Sequence, residues 1–135
     1  MDFQQKIDIT NEKNSFMSHN GMRLTHMEMN KAVVEANVTD QSLNLFGGVH
    51  GGVFLTMADC AAGGSARSGG GRFVTVSSSF EFFQNTTSDH VTATGIVRHR
   101  GNTICVSQVD VTDGDGALLA SGTFTMFRVG DDDVM

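Results

Sequence analysis

Apolar residues fall into short strand-like segments along most of the chain and into one long helix-like run in its middle. After a polar leader, with a possible helical turn near Asn14 to His19, Leu24 to Met29 and Ala32 to Val38 read as two strands joined at Asn30-Lys31. Asp40 to Leu45 reads as a turn or short helix. Gly51 to Ser68 is the one long helix, and the glycines of Ser68 to Arg72 end it, as helix C-termini favour. Phe73 to Phe83, Val91 to Arg100, Thr103 to Thr112 and Leu118 to Val129 are rich in Val, Thr, Ile and Phe. Turn residues Gly101-Asn102 and Asp113 to Gly116 separate the later ones. The expected arrangement is an antiparallel meander against which the single apolar helix buries itself. In the first of these strands Val76, Ser78, Phe80 and Phe82 alternate with Ser77, Ser79, Glu81 and Phe83, so polar positions can face a groove or solvent.

One residue breaks the apolar run. Asp59 sits among Phe54, Leu55, Met57, Ala58, Cys60, Ala61 and Ala62, where an unpaired ionised carboxylate costs several kcal/mol if buried. It follows Gly51 and Gly52 by eight and seven residues, about two helical turns, and so shares their helix face. The unpaired N–H groups of a helix start can bind an anion or polarise a carbonyl. A base or nucleophile and an electrophile-stabilising end would then line one groove. The competing reading makes His50-Gly51-Gly52 a tight turn, with Asp59 satisfied by a polar neighbour.

Composition sets bounds on this picture. At 135 residues the chain suits one domain, 1–135, with residues 1–14 as a polar leader and 130–135 as a frayed acidic tail. No apolar stretch is long enough to span a membrane, and charges and amides stand where a signal peptide has its apolar core. A cytoplasmic location is expected. Cys60 and Cys105 are too few for a disulfide scaffold. A net charge of −6 argues against nucleic-acid binding. It leaves room for a small polyanion held by local arginines such as Arg67, Arg72, Arg98 and Arg100, although each also reads as an ordinary solvated charge.

Other chemistries fit poorly. His50 and Cys60 lie ten residues apart, some 15 Å along a helix at about 1.5 Å per residue, too far for a nucleophile pair within one subunit. His19, His26, His90 and His99 lack partners at metal-ligand spacing, so no metal is expected. The glycine runs at Gly47 to Gly52 and Gly69 to Gly71 lack the Lys-Ser/Thr or βαβ context of nucleotide loops, so neither ATP nor NAD is expected as a cofactor. The methionines read as adaptable core filler, a few of which could line an acyl pocket.

The run Asn44 … His50-Gly51-Gly52 … Asp59-Cys60-Ala61, followed by Val74-Thr75-Val76, resembles the signature of hotdog-fold thioesterases of the PaaI-like, phenylacetate-pathway type. The similarity spans roughly Ser15 to Val129, including the ending Ser121 to Phe127. It implies an α+β hotdog fold, an antiparallel sheet wrapped around one long central helix. It also implies hydrolysis of acyl-CoA thioesters without a cofactor by a dimer or a tetramer built as a dimer of dimers, with sites between paired subunits. By the resemblance Asp59 is the catalytic carboxylate, as general base or nucleophile. Asn44 orients water or the thioester, and His50-Gly51-Gly52 is the oxyanion-type turn. Thr75 holds the water, with Ser77 as an alternative alignment, and Asp59 acts across the interface on the partner's Asn44 side. Arg98 and Arg100 are weaker candidates for the CoA phosphates. Where many relatives carry Arg-Pro after this strand, the chain has Gln84-Asn85. Aromatic acyl groups such as phenylacetyl and medium-chain fatty acyl groups both remain open. The alternatives are a non-catalytic acyl-CoA-binding hotdog module and a hotdog dehydratase or hydratase, whose Asp…His loop is not recognisable here.

Overall fold

The computed structural model describes residues 1–133. The polar leader folds into a helix, α1 (Phe3–Lys13), started by a capping box in which Asp2 accepts from the Gln5 N–H and the Gln5 side chain accepts from the Asp2 N–H. Asn14 then caps the short α2 (Ser15–His19) through the Met17 N–H. Strands β1 (Met22–Glu28) and β2 (Lys31–Asn37) form a hairpin whose turn holds Asn30 at φ 67°, a left-handed conformation that Asn tolerates. A 3-10 turn (Asp40–Ser42) leads through a loop to α3 (Gly51–Arg67). Gly70 and Gly71, both at positive φ, then turn the chain into β3 (Arg72–Phe82). Strands β4 (His90–Arg100), β5 (Ile104–Asp113) and β6 (Leu118–Gly130) complete one six-stranded sheet.

Within the sheet all neighbours are antiparallel, in the order β1-β2-β4-β5-β6-β3. Only β4, β5 and β6 form the expected meander. β3 is separated from β4 by two strands and pairs with β6 at the far edge, because α3 intervenes and carries the chain across the sheet. The helix packs against the sheet, with Phe54, Met57, Ala58, Ala61 and Ala62 buried. Burying a side chain the size of Phe or Met contributes about 1.5–3 kcal/mol. Small residues set the depth of the crossing: a Cβ on Gly95 of β4 would stand 2.7 Å from the Ala61 carbonyl oxygen. Among the described residues no helix is long and apolar enough to cross a membrane.

The two chain ends meet beside the end of α3. Lys6 of α1 is buried, donates to the Arg67 carbonyl at 3.1 Å and pairs with Asp133 at 3.7 Å. Asp133 also accepts from the Gly71 N–H, so the acidic tail is tied down as far as this residue. Val134 and Met135 lie outside the described residues. Strand β3 shows no buried alternate face: a register shift between Thr75 and Ser77 interrupts its pairing, and Thr75 to Ser79 are all exposed.

Candidate active site

Asp59 is half-buried on the face of α3 that looks toward β3. Its Oδ1 accepts a hydrogen bond from Thr75 Oγ1 at 2.5 Å, and no described residue partners Oδ2. The polar neighbour that the competing reading required is therefore a single hydroxyl, and it leaves one carboxylate oxygen free to act. Thr75 Oγ1 also lies 3.3 Å from Met126 Sδ, but its one proton goes to the far stronger acceptor. Ser77, offered as an alternative to Thr75, lines no cavity with Asp59. The shift in register after Thr75 carries it away.

Cavities open on both sides of the Asp59–Thr75 pair. One, of about 510 Å³, runs beneath α1. The other, of about 480 Å³, runs along Phe16, Leu55, Thr56 and Ser78. Asn14, Asp59, Cys60 and Thr75 line both. Burial pushes the Cys60 thiol up to about 11, reinforced by the adjacent Asp59 carboxylate, so Cys60 is a neutral wall rather than a nucleophile. Of the helical wall formed by α1 and α2, the turn near Asn14 to His19 was expected, and α1, in what read as a polar leader, was not. Its signal was present in the Asp2-Phe3-Gln4-Gln5 box.

The start of α3 is built differently from expectation. His50 Nδ1 accepts from the Gly52 N–H at 2.8 Å and caps the helix, which fixes the imidazole proton on Nε2. The Gly52 amide is thus already occupied, and only the Gly51 N–H is left without an acceptor among the described residues. The Phe82 ring lies over Gly51, where a Cβ would meet it at 3.4 Å. Two turns of helix separate this end from Asp59, about 10–12 Å at 1.5 Å per residue. His50 and Gly52 line a different cavity from Asp59, so the single groove expected for both ends is absent within one chain.

Asn44 is equally remote. Its Oδ1 accepts from the Phe46 and Gly48 N–H groups at 2.8 and 3.1 Å, closing the loop Asn44–Gly48, and it lines a further cavity with Asn85 and Asp113. The Gln84-Asn85 pair that replaces Arg-Pro has a definite use: Asn85 both accepts from the Val49 N–H and donates to the Val49 carbonyl, each at 3.1 Å. It holds the loop that delivers Gly51.

The arginines separate. Arg100 donates to Asn30 Oδ1 and to the carbonyls of Ala66 and Ser65 at 3.0–3.1 Å, capping the end of α3. These three bonds give it a structural role at the end of the helix. Arg98 is exposed and keeps its guanidinium free among the described residues. His90 pairs with Glu35 at 2.8 Å, well away from the site.

Comparison with known proteins agrees with this architecture. The family model of the thioesterase superfamily matches residues 46–120, more than half of the chain and all of α3. The fold superimposes on the E. coli PaaI protein from the phenylacetic acid degradation operon with a TM-score of 0.90 at 25% identity, over 96% of this chain and 95% of that one. A hypothetical thioesterase from Streptococcus pneumoniae, solved with coenzyme A, is 34% identical over 82% of this chain and 90% of its own, with a TM-score of 0.77. The smu.793 protein of Streptococcus mutans, bound to acetyl CoA, is 31% identical over the same shares, also with a TM-score of 0.77. No curated protein matches the sequence. The expected hotdog fold and PaaI-like character are borne out.

Proposed function

This chain belongs to the thioesterase superfamily, and from that premise we propose that it hydrolyses acyl-CoA thioesters with Asp59 as the catalytic carboxylate. The observation that carries the reading is the Asp59–Thr75 pair, a carboxylate with one oxygen anchored and the other open to cavities of a size that suits an acyl group. The solved relatives that hold coenzyme A and acetyl CoA support the substrate class.

In the general-base form of the mechanism, Asp59 Oδ2 takes a proton from water as the water oxygen attacks the thioester carbonyl. Thr75 holds Oδ1 and keeps the carboxylate turned toward that water. Negative charge moves onto the carbonyl oxygen, where an N–H at a helix start stabilises it. Collapse of the tetrahedral intermediate breaks the C–S bond, and the proton on Asp59 passes to the departing sulfur. As nucleophile, Asp59 would instead form an anhydride that water then opens, and the same residue in the same place serves both routes.

The N–H in question belongs to a second copy. Asp59 and Gly51 are two helical turns apart in one chain, so a single carbonyl can reach both only if they come from different subunits. Strand β3 offers the means: it is an edge strand with Val74 47% and Val76 56% exposed, and Leu45 and Phe46 in the loop before α3 are 89% and 87% exposed. A lone chain leaves this edge unpaired and this apolar surface in water. A panel of acyl-CoAs, aromatic and aliphatic, assayed for thiol release with an Asp59→Asn control, tests the assignment. No release from any member would reject it.

A further inference from the structure

Asp59, Gly63 and Arg67 stand four residues apart on one face of α3 and share the larger cavity, so that a carboxylate, a bare backbone and a guanidinium follow one another along its floor. Gly63 is not required by the backbone, since it has no positive φ. Packing does not demand it either: a Cβ there would meet Met126 Cε at 3.6 Å, an ordinary contact, unlike neighbouring Gly64, where a Cβ would press on Ala32 at 2.9 Å. In a helix interior glycine is destabilising relative to alanine. What Gly63 does is leave the cavity open between the carboxylate and the arginine.

The far end is polar in an otherwise apolar passage. Met17, Leu24, Phe73 and Met126 supply apolar walls, and Arg67 stands two turns along α3 from Asp59 with Thr10 beside it. Arg67 docks α1 by donating from Nη2 to Thr10 Oγ1 at 2.9 Å, which engages one of its five N–H groups. Among the described residues no carboxylate stands within ion-pair distance of it, and Asp133, which pairs with Lys6 at 3.7 Å, acts on Arg67 only from farther off. Burial pulls its affinity for the proton down, and the Asp133 carboxylate opposes that only in part.

Resting on the thioesterase reading, we infer that the substrate's acyl group runs from Asp59 over Gly63 to Arg67 and ends in a carboxylate, making ω-carboxyacyl thioesters the favoured class. Arg67 and the acyl terminus would form a charge-assisted pair inside a largely apolar channel, where such a pair discriminates strongly. The distance fits a chain of several carbons, since Asp59 and Arg67 are about 12 Å apart along the helix axis.

The test uses thioether analogues of CoA, which bind without being hydrolysed, in chain-length-matched pairs ending in a carboxylate or a methyl group. Calorimetry on the wild-type protein should show the carboxylate member binding at least about tenfold more tightly, the worth of one charge-assisted hydrogen bond. In Arg67→Gln that ratio should fall to near one. Gly63→Ala, whose Cβ the fold accepts, should weaken the longer carboxylate analogues more than the shorter ones. Equal binding of the two members by the wild-type protein overturns the inference and leaves the thioesterase reading standing. A clear carboxylate preference with no hydrolysis of the corresponding thioesters does the reverse: the subsite stands and the thioesterase reading falls.

Discussion

Thr75 Oγ1 lies 2.5 Å from Asp59 Oδ1, and this one hydrogen bond joins the exposed edge of the sheet to the sole carboxylate of α3. It gives the carboxylate a fixed orientation while leaving its second oxygen open.

Asp59→Asn should fold as the wild type does and lose turnover by at least about 100-fold, the lower end for a positioned base. Steady-state kinetics on several acyl-CoAs, with a thermal melt on the same preparation, measure both. Wild-type turnover in the variant would remove Asp59 from the mechanism.

Thr75→Val keeps the shape of the side chain and deletes the donor to Asp59. Turnover should fall by about tenfold or more with little change in KM, because the lost bond orients the carboxylate instead of binding substrate. Thr75→Ser should restore most of the rate. An unaffected Val variant would mean that Asp59 is held by something else.

For Asn44→Ala the main loss should be in stability. The side chain closes its own loop through the Phe46 and Gly48 N–H groups, so its removal should cost about 1–2 kcal/mol and lower Tm by roughly 2–8 °C. If Tm holds while turnover per folded molecule collapses, Asn44 belongs to the chemistry and not to the scaffold.

From Asn14 onward the ordering of elements was legible in the sequence, and the reasons show in particular residues. Gly70-Gly71 and Asn30 mark the ends of α3 and β1 because only a few residue types accept a left-handed backbone. Asp59 stood out because a lone charge in an apolar helix must answer for its desolvation. Strand order was not legible: the place of β3 beside β6 depends on how α3 crosses the sheet, which no local pattern records. For the same reason Arg100 looked like a free cation, although its partners Asn30, Ser65 and Ala66 lie 34 to 70 residues away. The capping use of His50 was hidden because an imidazole serves as a cap less often than Ser, Thr, Asp or Asn does.

Arg100→Met retains the apolar stem and removes three hydrogen bonds from the end of α3. Stability should drop by about 1.5–3 kcal/mol in chemical denaturation, while the Kd for free CoA stays within about twofold. Weakened CoA binding at full stability would return Arg100 to the phosphate site.

In solution the protein should be at least a dimer. Light scattering should give a mass of no less than twice the 14.4 kDa chain, and Val76→Lys, placed on the open edge, should shift the population toward monomer and reduce activity with it. A stable wild-type monomer with full activity would contradict both the shared site and the role of β3.

The position of β3 also governs when the site can first exist. Among the described residues its only strand partner is β6, the last strand, so Thr75 has no ladder to join until residues near Met126 have been made. On the ribosome, α3 and the β1–β2 hairpin emerge well before that point. For that interval the nascent protein carries Asp59 without Thr75 held against it, and a chain cut short before β6 is also a chain without its candidate active site.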